Sequence, residues 1–149
     1  LGEFIAGAAT FYAKQLKLDN SRYTVVIITD PHLMREHGNN GVCMRTGYRQ
    51  ITVGLYSRLN VIKMLYTLAH EMVHVKQYAH GELVDYIHSS KTNKCRWRGK
   101  IRNNYNNPIE YWDMPWEIEA HGWEKGLYYQ FLAHHQEYQK LFKRKRRKK

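Results

Sequence analysis

Residues 57–80 read SRLNVIKMLYTLAHEMVHVKQYAH, and this stretch decides the fold. Leu59, Ile62, Leu65, Leu68, Ala69, Met72 and Val73 recur at three- and four-residue steps, the period of an amphipathic helix rather than of a strand. Ser57 is the expected N-cap and Gly81 the expected C-terminal stop. Within that helix lies His70-Glu71-Met72-Val73-His74, an H-E-x-x-H pattern. Spacing i, i+4 puts both imidazoles on one helical face about a turn apart, where they can share one tetrahedral ion, while Glu71 turns toward the remaining coordination position. With 9 His and 9 Glu among 149 residues, random placement yields roughly 0.03 such patterns, so accident is a weak rival.

The chain on either side alternates helix and strand signals. Phe4, Ile5, Ala8, Ala9, Phe11, Tyr12 and Leu16 predict an amphipathic helix over 3–18, ended by Asp19-Asn20-Ser21. Tyr23 to Thr29 is β-branched, short and bounded by Asp30-Pro31, which predicts a buried strand. Residues 31–41 read as a loop. Tyr48 to Leu55 alternates polar and apolar residues and predicts a second strand, pairing with 43–46 through a turn at Gly47. Beyond the central helix, 83–87 are expected to extend a helix, 97–102 to form a short strand and 103–108 a turn-rich loop. Asp113 followed by Pro115 then opens a long helix running to about Leu141. The fold class is α+β: a small, mainly antiparallel or mixed sheet packed on the H-E-x-x-H helix, in a single domain over 1–142.

Length and composition agree with one packed domain. At 149 residues a real core forms without staples. With 43% hydrophobic and 13% aromatic residues, disorder is excluded for most of the length. Cys43 and Cys95 belong to no C-x-x-C pair, so neither a disulfide framework nor a zinc ribbon is indicated, and idle or buried thiols in a reducing, intracellular compartment are expected. No apolar run is long enough to span a membrane, and 1–18 carries Lys, Gln and Glu unlike a signal-peptide core. The net charge is +11, but eight cations sit in the last ten residues, leaving +3 for the other 139. The tail Lys143, Arg144, Lys145, Arg146, Arg147, Lys148 and Lys149 is therefore the expected contact for DNA or RNA, with a solubilising end as the plainer reading. A weaker basic patch, Lys91, Lys94, Arg96, Arg98, Lys100 and Arg102, surrounds Trp97. That ring is either a stacking platform for single-stranded nucleic acid or a core residue of a short strand.

A catalytic zinc site takes three protein ligands and leaves a fourth position to water. Residues 111–124, YWDMPWEIEAHGWE, supply Glu117, Glu119 and His121 at the start of the last helix. Glu117 and His121 share a face at i, i+4, whereas Glu119 lies about 200 degrees around the helix from Glu117.

HEMVH with a downstream helical E-x-x-A resembles the gluzincin metallopeptidases, especially the small minigluzincin and SprT-like proteins, including ones encoded by tailed phages. The resemblance covers ITVGL, HEMVHVKQY and PWEIEAHGWE, about half the chain. It implies a zincin-like domain holding one Zn2+ per chain through His70, His74 and Glu117, the Glu three positions before Ala120. Where such families carry a supporting Asp four residues after that Glu, this chain has His121. SprT-like proteins of the Spartan kind use a third histidine, which makes His80 or His88 the rival ligand. The implied activity is hydrolysis of a polypeptide substrate by a metal-activated water with Glu71 as general base. His121, Tyr105 and Tyr111 are the candidate donors to the oxyanion, His121 counted among the catalytic residues. Strand 48–55 occupies the place from which the edge strand of a zincin pairs with extended substrate. The implied location is cytoplasmic, or the host cytoplasm or virion for a virally encoded chain. The competing expectation is a non-catalytic nucleic-acid-binding or virion structural protein whose zinc only braces two helices.

Overall fold

The structure, a computed structural model, describes residues 2–85, 94–103 and 108–139. In chain order these form α1 (Gly2–Gln15), β1 (Thr24–Asp30), α2 (Leu33–His37), β2 (Gly41–Gly47), β3 (Gln50–Tyr56), α3 (Val61–Ala79), β4 (Leu83–Asp85), β5 (Lys94–Trp97), β6 (Lys100–Asn103), α4 (Pro108–Asp113) and α5 (Pro115–His134). The mixed α+β class is as expected.

The centre of the molecule is α3. Its apolar positions Leu65, Leu68, Ala69, Met72, Val73 and Val75 are fully or almost fully buried, which is where its stability comes from, since helices in proteins are held mainly by packing of their apolar face. On one side lies a mixed sheet in the order β1-β3-β2, with β3 parallel to β1 and antiparallel to β2. Ile51, Val53 and Leu55 alternate along β3 and have no exposed surface. On the other sides lie α1 and α5, joined by ring contacts of Phe4 and Tyr12 with Phe131 at 5.8 and 5.9 Å. A second, antiparallel sheet in the order β4-β5-β6 buries Cys95 and Trp97 while Lys94 and Arg96 face solvent.

Several local expectations are corrected. The helix cap of α3 is Asn60 rather than Ser57: its backbone is extended (φ −67°, ψ 161°) and its side chain accepts from the Lys63 N–H at 2.9 Å. Gly81 does end α3, at φ 70°. The first helix stops at Gln15, three residues early, because Lys17 adopts a left-handed φ of 58° that lets the Leu18 N–H bond the Ala13 carbonyl at 2.8 Å. The turn between β2 and β3 falls at Tyr48-Arg49, after a bulge between Arg45 and Gly47, so the second strand begins at Gln50. The expected loop 31–41 contains α2, whose Leu33 packs over Gly54. Residues 83–85 are a strand, not a helical extension, because Leu83 pairs with Trp97 across the second sheet. The strand expected over 97–102 is instead a hairpin turning at Arg98-Gly99, both at positive φ (45° and 80°), as a two-residue primed turn requires. The helix expected to run to about 141 is interrupted: α5 ends at His134, and a short helical segment over 136–139 follows the break at His135; the N-cap of α5 is Met114 rather than Asp113, with Pro115 in its first turn. Among the described residues no helix is long and apolar enough to cross a membrane.

Candidate metal centre

Three turns of α3 and three turns of α5 face each other. His70, His74 and Gln77 stand at i, i+4, i+7 on α3, and Glu117, His121 and Glu124 repeat that spacing on α5. Where the two rows meet, three electron-pair donors converge. His70 Nε2 lies 3.1 Å from His74 Nε2 and 3.2 Å from Glu117 Oε2, and His74 Nε2 lies 3.4 Å from that same oxygen. Ligands about 2.0–2.1 Å from a tetrahedral zinc ion are about 3.3 Å from one another. The three atoms thus already stand at the edge lengths of a zinc tetrahedron, and the donor set fits the ion.

Outer bonds aim these donors. The Glu124 carboxylate accepts from His70 Nδ1–H at 2.8 Å, and Gln77 Oε1 accepts from His74 Nδ1–H at 2.8 Å. With each Nδ1 carrying a proton, each Nε2 lone pair is left for the cluster, as is usual for metal-ligating histidines. Glu117 Oε2 accepts from the Tyr111 hydroxyl at 2.7 Å; that hydroxyl also lies 2.9 Å from His121 Nε2, and His121 Nδ1 lies 3.2 Å from Glu124 Oε2. A ring of contacts therefore runs from His70 through Glu117, Tyr111, His121 and Glu124 back to His70.

The electrostatics follow. Burial alone would lower the His70 pKa, but its bonds to Glu117 and Glu124 and the nearby Glu71 charge outweigh this and raise it to about 10. His74 is raised in the same sense, burial opposing and the Glu117 bond prevailing. Burial pushes Glu117 up, yet the bonds from His70, His74 and Tyr111 hold it well below the usual carboxylate range. Glu71 is raised, chiefly by burial. Two imidazole lone pairs and a carboxylate this close would repel, and a proton or a cation between them relieves that repulsion.

Glu71 lies against the start of β2. A Cβ on Gly41 would come within 2.9 Å of Glu71 Oε1 and 2.5 Å of Thr67 Cγ2, so only glycine lets the strand pass this close to the carboxylate. The cleft above the cluster has a volume of about 900 Å³; Gly41 to Met44 line one wall and Tyr111, Trp112 and His121 another. Its strand is β2, an edge of the first sheet, whereas β3 is bonded on both sides. The expectation that 48–55 offers the substrate-pairing edge is therefore corrected.

The other candidates separate cleanly. Glu119 accepts from Lys76 Nζ and Arg98 Nη2, both at 2.7 Å, on a different face of α5 from Glu117. His80 caps the end of α3, its Nε2 3.3 Å from the Lys17 carbonyl. His121 offers a ligand atom within 4.8 Å of those of His70 and Glu117, but both its ring nitrogens already face Tyr111 and Glu124. His88, Tyr105, Lys91 and the tail 143–149 lie outside the described residues. Trp97 is buried 6.1 Å from Trp116, a core residue and not a stacking platform. Cys95 is buried and Cys43 half-buried at the cleft wall, and the two are not joined in a disulfide. Sequence reasoning passed over Glu124, Gln77 and Gly41. The first two carried a signal, the i+7 spacing from Glu117 and the i+3 spacing from His74; Gly41 carried none.

No family model, curated protein or solved structure matches this chain.

Proposed function

We propose that the chain is a zinc-dependent peptidase of zincin-like architecture. The observation that carries this reading is the convergence of His70 Nε2, His74 Nε2 and Glu117 Oε2 at 3.1 to 3.4 Å, with an unused carboxylate, Glu71, beside them at the floor of an open cleft. Those three residues would hold zinc. When bound, the ion supplies Lewis acidity, making water more acidic and a carbonyl more electrophilic.

The remaining work falls to the chain. Glu71 takes a proton from the attacking water and returns it to the leaving amine. Burial raises its carboxyl, against the opposing charges of His74 and His70, the direction that makes a carboxylate a better proton acceptor. The edge strand β2 pairs with an extended polypeptide and sets the scissile carbonyl across the cluster. Tyr111 and His121, side by side at 2.9 Å on the opposite wall, are the groups that would donate to the oxyanion on giving up their contacts with Glu117 and Glu124. Replacing Glu71 with Gln tests this reading: zinc content and fold should persist while cleavage of an unstructured protein such as casein falls about 10²- to 10⁴-fold. A variant that cleaves as fast as wild type would remove Glu71 from the mechanism.

His121 gives the second reading its footing. Drawn in as a fourth ligand, it would close the site and leave a structural zinc in a nucleic-acid-binding or virion protein, for which Glu71 would be dispensable. Its existing bonds to Tyr111 and Glu124 favour the open site. The tail 143–149 is proposed to add sequence-independent affinity for DNA or RNA, which its removal should reduce along with the salt dependence of binding.

A further inference from the structure

Gln77 has no exposed surface, and each end of its amide is committed. Nε2 donates to the Trp116 carbonyl at 2.9 Å and to Glu119 Oε1 at 3.3 Å, while Oε1 accepts from His74 Nδ1–H at 2.8 Å. An amide can be turned end for end without changing its shape, and what fixes it is the set of groups around it. Here the two neighbours of the NH2 end are a carbonyl and a carboxylate, and neither can donate. Turned over, the amide would set its oxygen against both and present N–H groups to His74 Nδ1, which would then have to accept. The proton would move to Nε2, and His74 would lose the lone pair it offers to the cluster.

Glu119 is itself held from two sides. Lys76 Nζ and Arg98 Nη2 each approach it at 2.7 Å, and Arg98 is kept in place by its Nε–H donating to Glu82 Oε2 at 3.0 Å. Arg98 occupies the turn between β5 and β6, at φ 45°. A continuous set of bonds thus leads from the second sheet through α5 to a histidine of α3.

We propose that Glu119 is a positioning residue: acting with the Trp116 carbonyl, it locks the Gln77 amide in one orientation and so holds His74 in the form with its proton on Nδ1 and its lone pair on Nε2. The proposal rests on the metal reading of the cluster. It gives the second sheet a part in the site without any of its residues reaching the metal, and it assigns a role to a carboxylate that is not a ligand.

Two measurements on the full chain test it: zinc affinity by competition with a chromophoric chelator, and the ring-nitrogen NMR spectrum of the zinc-loaded protein. Glu119→Gln offers Gln77 either a donor or an acceptor, so only the Trp116 carbonyl still opposes the turned amide and the lock is weakened. Zinc affinity should fall about tenfold, the lower end of what such outer partners contribute. The His74 Nδ1–H resonance should weaken while that of His70, held by Glu124, stays. In a Gln77→Met background, which has no amide to orient, Glu119→Gln should change zinc affinity no further. An unchanged affinity in Glu119→Gln, or an equal loss in both backgrounds, would overturn the proposal while leaving the zinc site standing. A wild-type chain that binds no zinc would overturn both.

Discussion

Two clusters of ionisable side chains bridge α3 and α5, about one turn apart, and they are built on opposite rules. The outer one, Lys76, Glu82, Arg98 and Glu119, alternates charge: every carboxylate meets a cation at 2.7 to 2.9 Å. It is complete in itself. The inner one, His70, His74 and Glu117, brings three electron-pair donors together with no lysine or arginine among them. Such an arrangement is stable only with protons or a metal ion in its middle. Proximity of charged groups therefore does not by itself mark a metal site; what would fit an ion is a set of donor atoms converging at tetrahedral edge lengths.

The sharpest way to break the contrast is to remove one carboxylate from each cluster. Glu117→Ala should no longer hold zinc through dialysis, while Glu119→Ala should keep one zinc per chain at about tenfold lower affinity. The reverse outcome would exchange the roles of the clusters. A next test concerns Glu71, which borders the inner cluster without joining it. Gly41→Ala would push a methyl to 2.9 Å from Glu71 Oε1, so turnover should fall about 10- to 100-fold with zinc retained, since a 1 Å misplacement can cost that much. Wild-type activity in Gly41→Ala would show that the carboxylate has room to move.

The clusters should also differ in how they answer to pH. In the metal-free protein His70 is raised to about 10 and Glu117 depressed, the same pairing seen from its two sides. The raised histidine contributes stability in full below about pH 6.5, its unfolded value, and loses it as pH climbs toward 10; the depressed carboxylate contributes above about pH 4.3 and loses it in acid. Metal-free protein should therefore be most stable, by thermal melting, at about pH 4.5–6.5, and lose stability on the alkaline side. A flat profile from pH 6 to 10 would contradict the pairing. The outer cluster should matter least to stability. Arg98 is more than half exposed, so Arg98→Ala should cost about 1 kcal/mol or less; a larger loss in denaturant titration would mean that the turn, and not the ion pairs, is what Arg98 maintains.

The two histidines of the inner cluster were legible in the sequence because a helix turns spacing into geometry, i, i+4 fixing His70 against His74; spacing also puts Glu117 and His121 on one face of the last helix, while the choice of Glu117 as third donor rests on the resemblance to gluzincins. The second sheet was not. Leu83 to Asp85 is too short to show a period, and it is a strand only because Trp97, fourteen residues on, pairs with Leu83. The order of strands is equally non-local, so nothing in 41–56 reveals that β2 and not β3 has the open edge. Gly41 is silent for a related reason: its importance lies in what α3 places beneath it. Capping sits between these cases, since Ser57 and Asn60 are both good caps and it is the Asn60 side chain that accepts from the N–H three residues on.

The most direct test of the central claim is calorimetric titration of the metal-free chain with zinc in buffers of different ionisation enthalpy. The account predicts one ion per chain, with about one proton released per ion at pH 7 as zinc displaces the one held on His70, whose pKa is raised to about 10, and affinity that rises with pH. No binding, or binding without proton release, would contradict it.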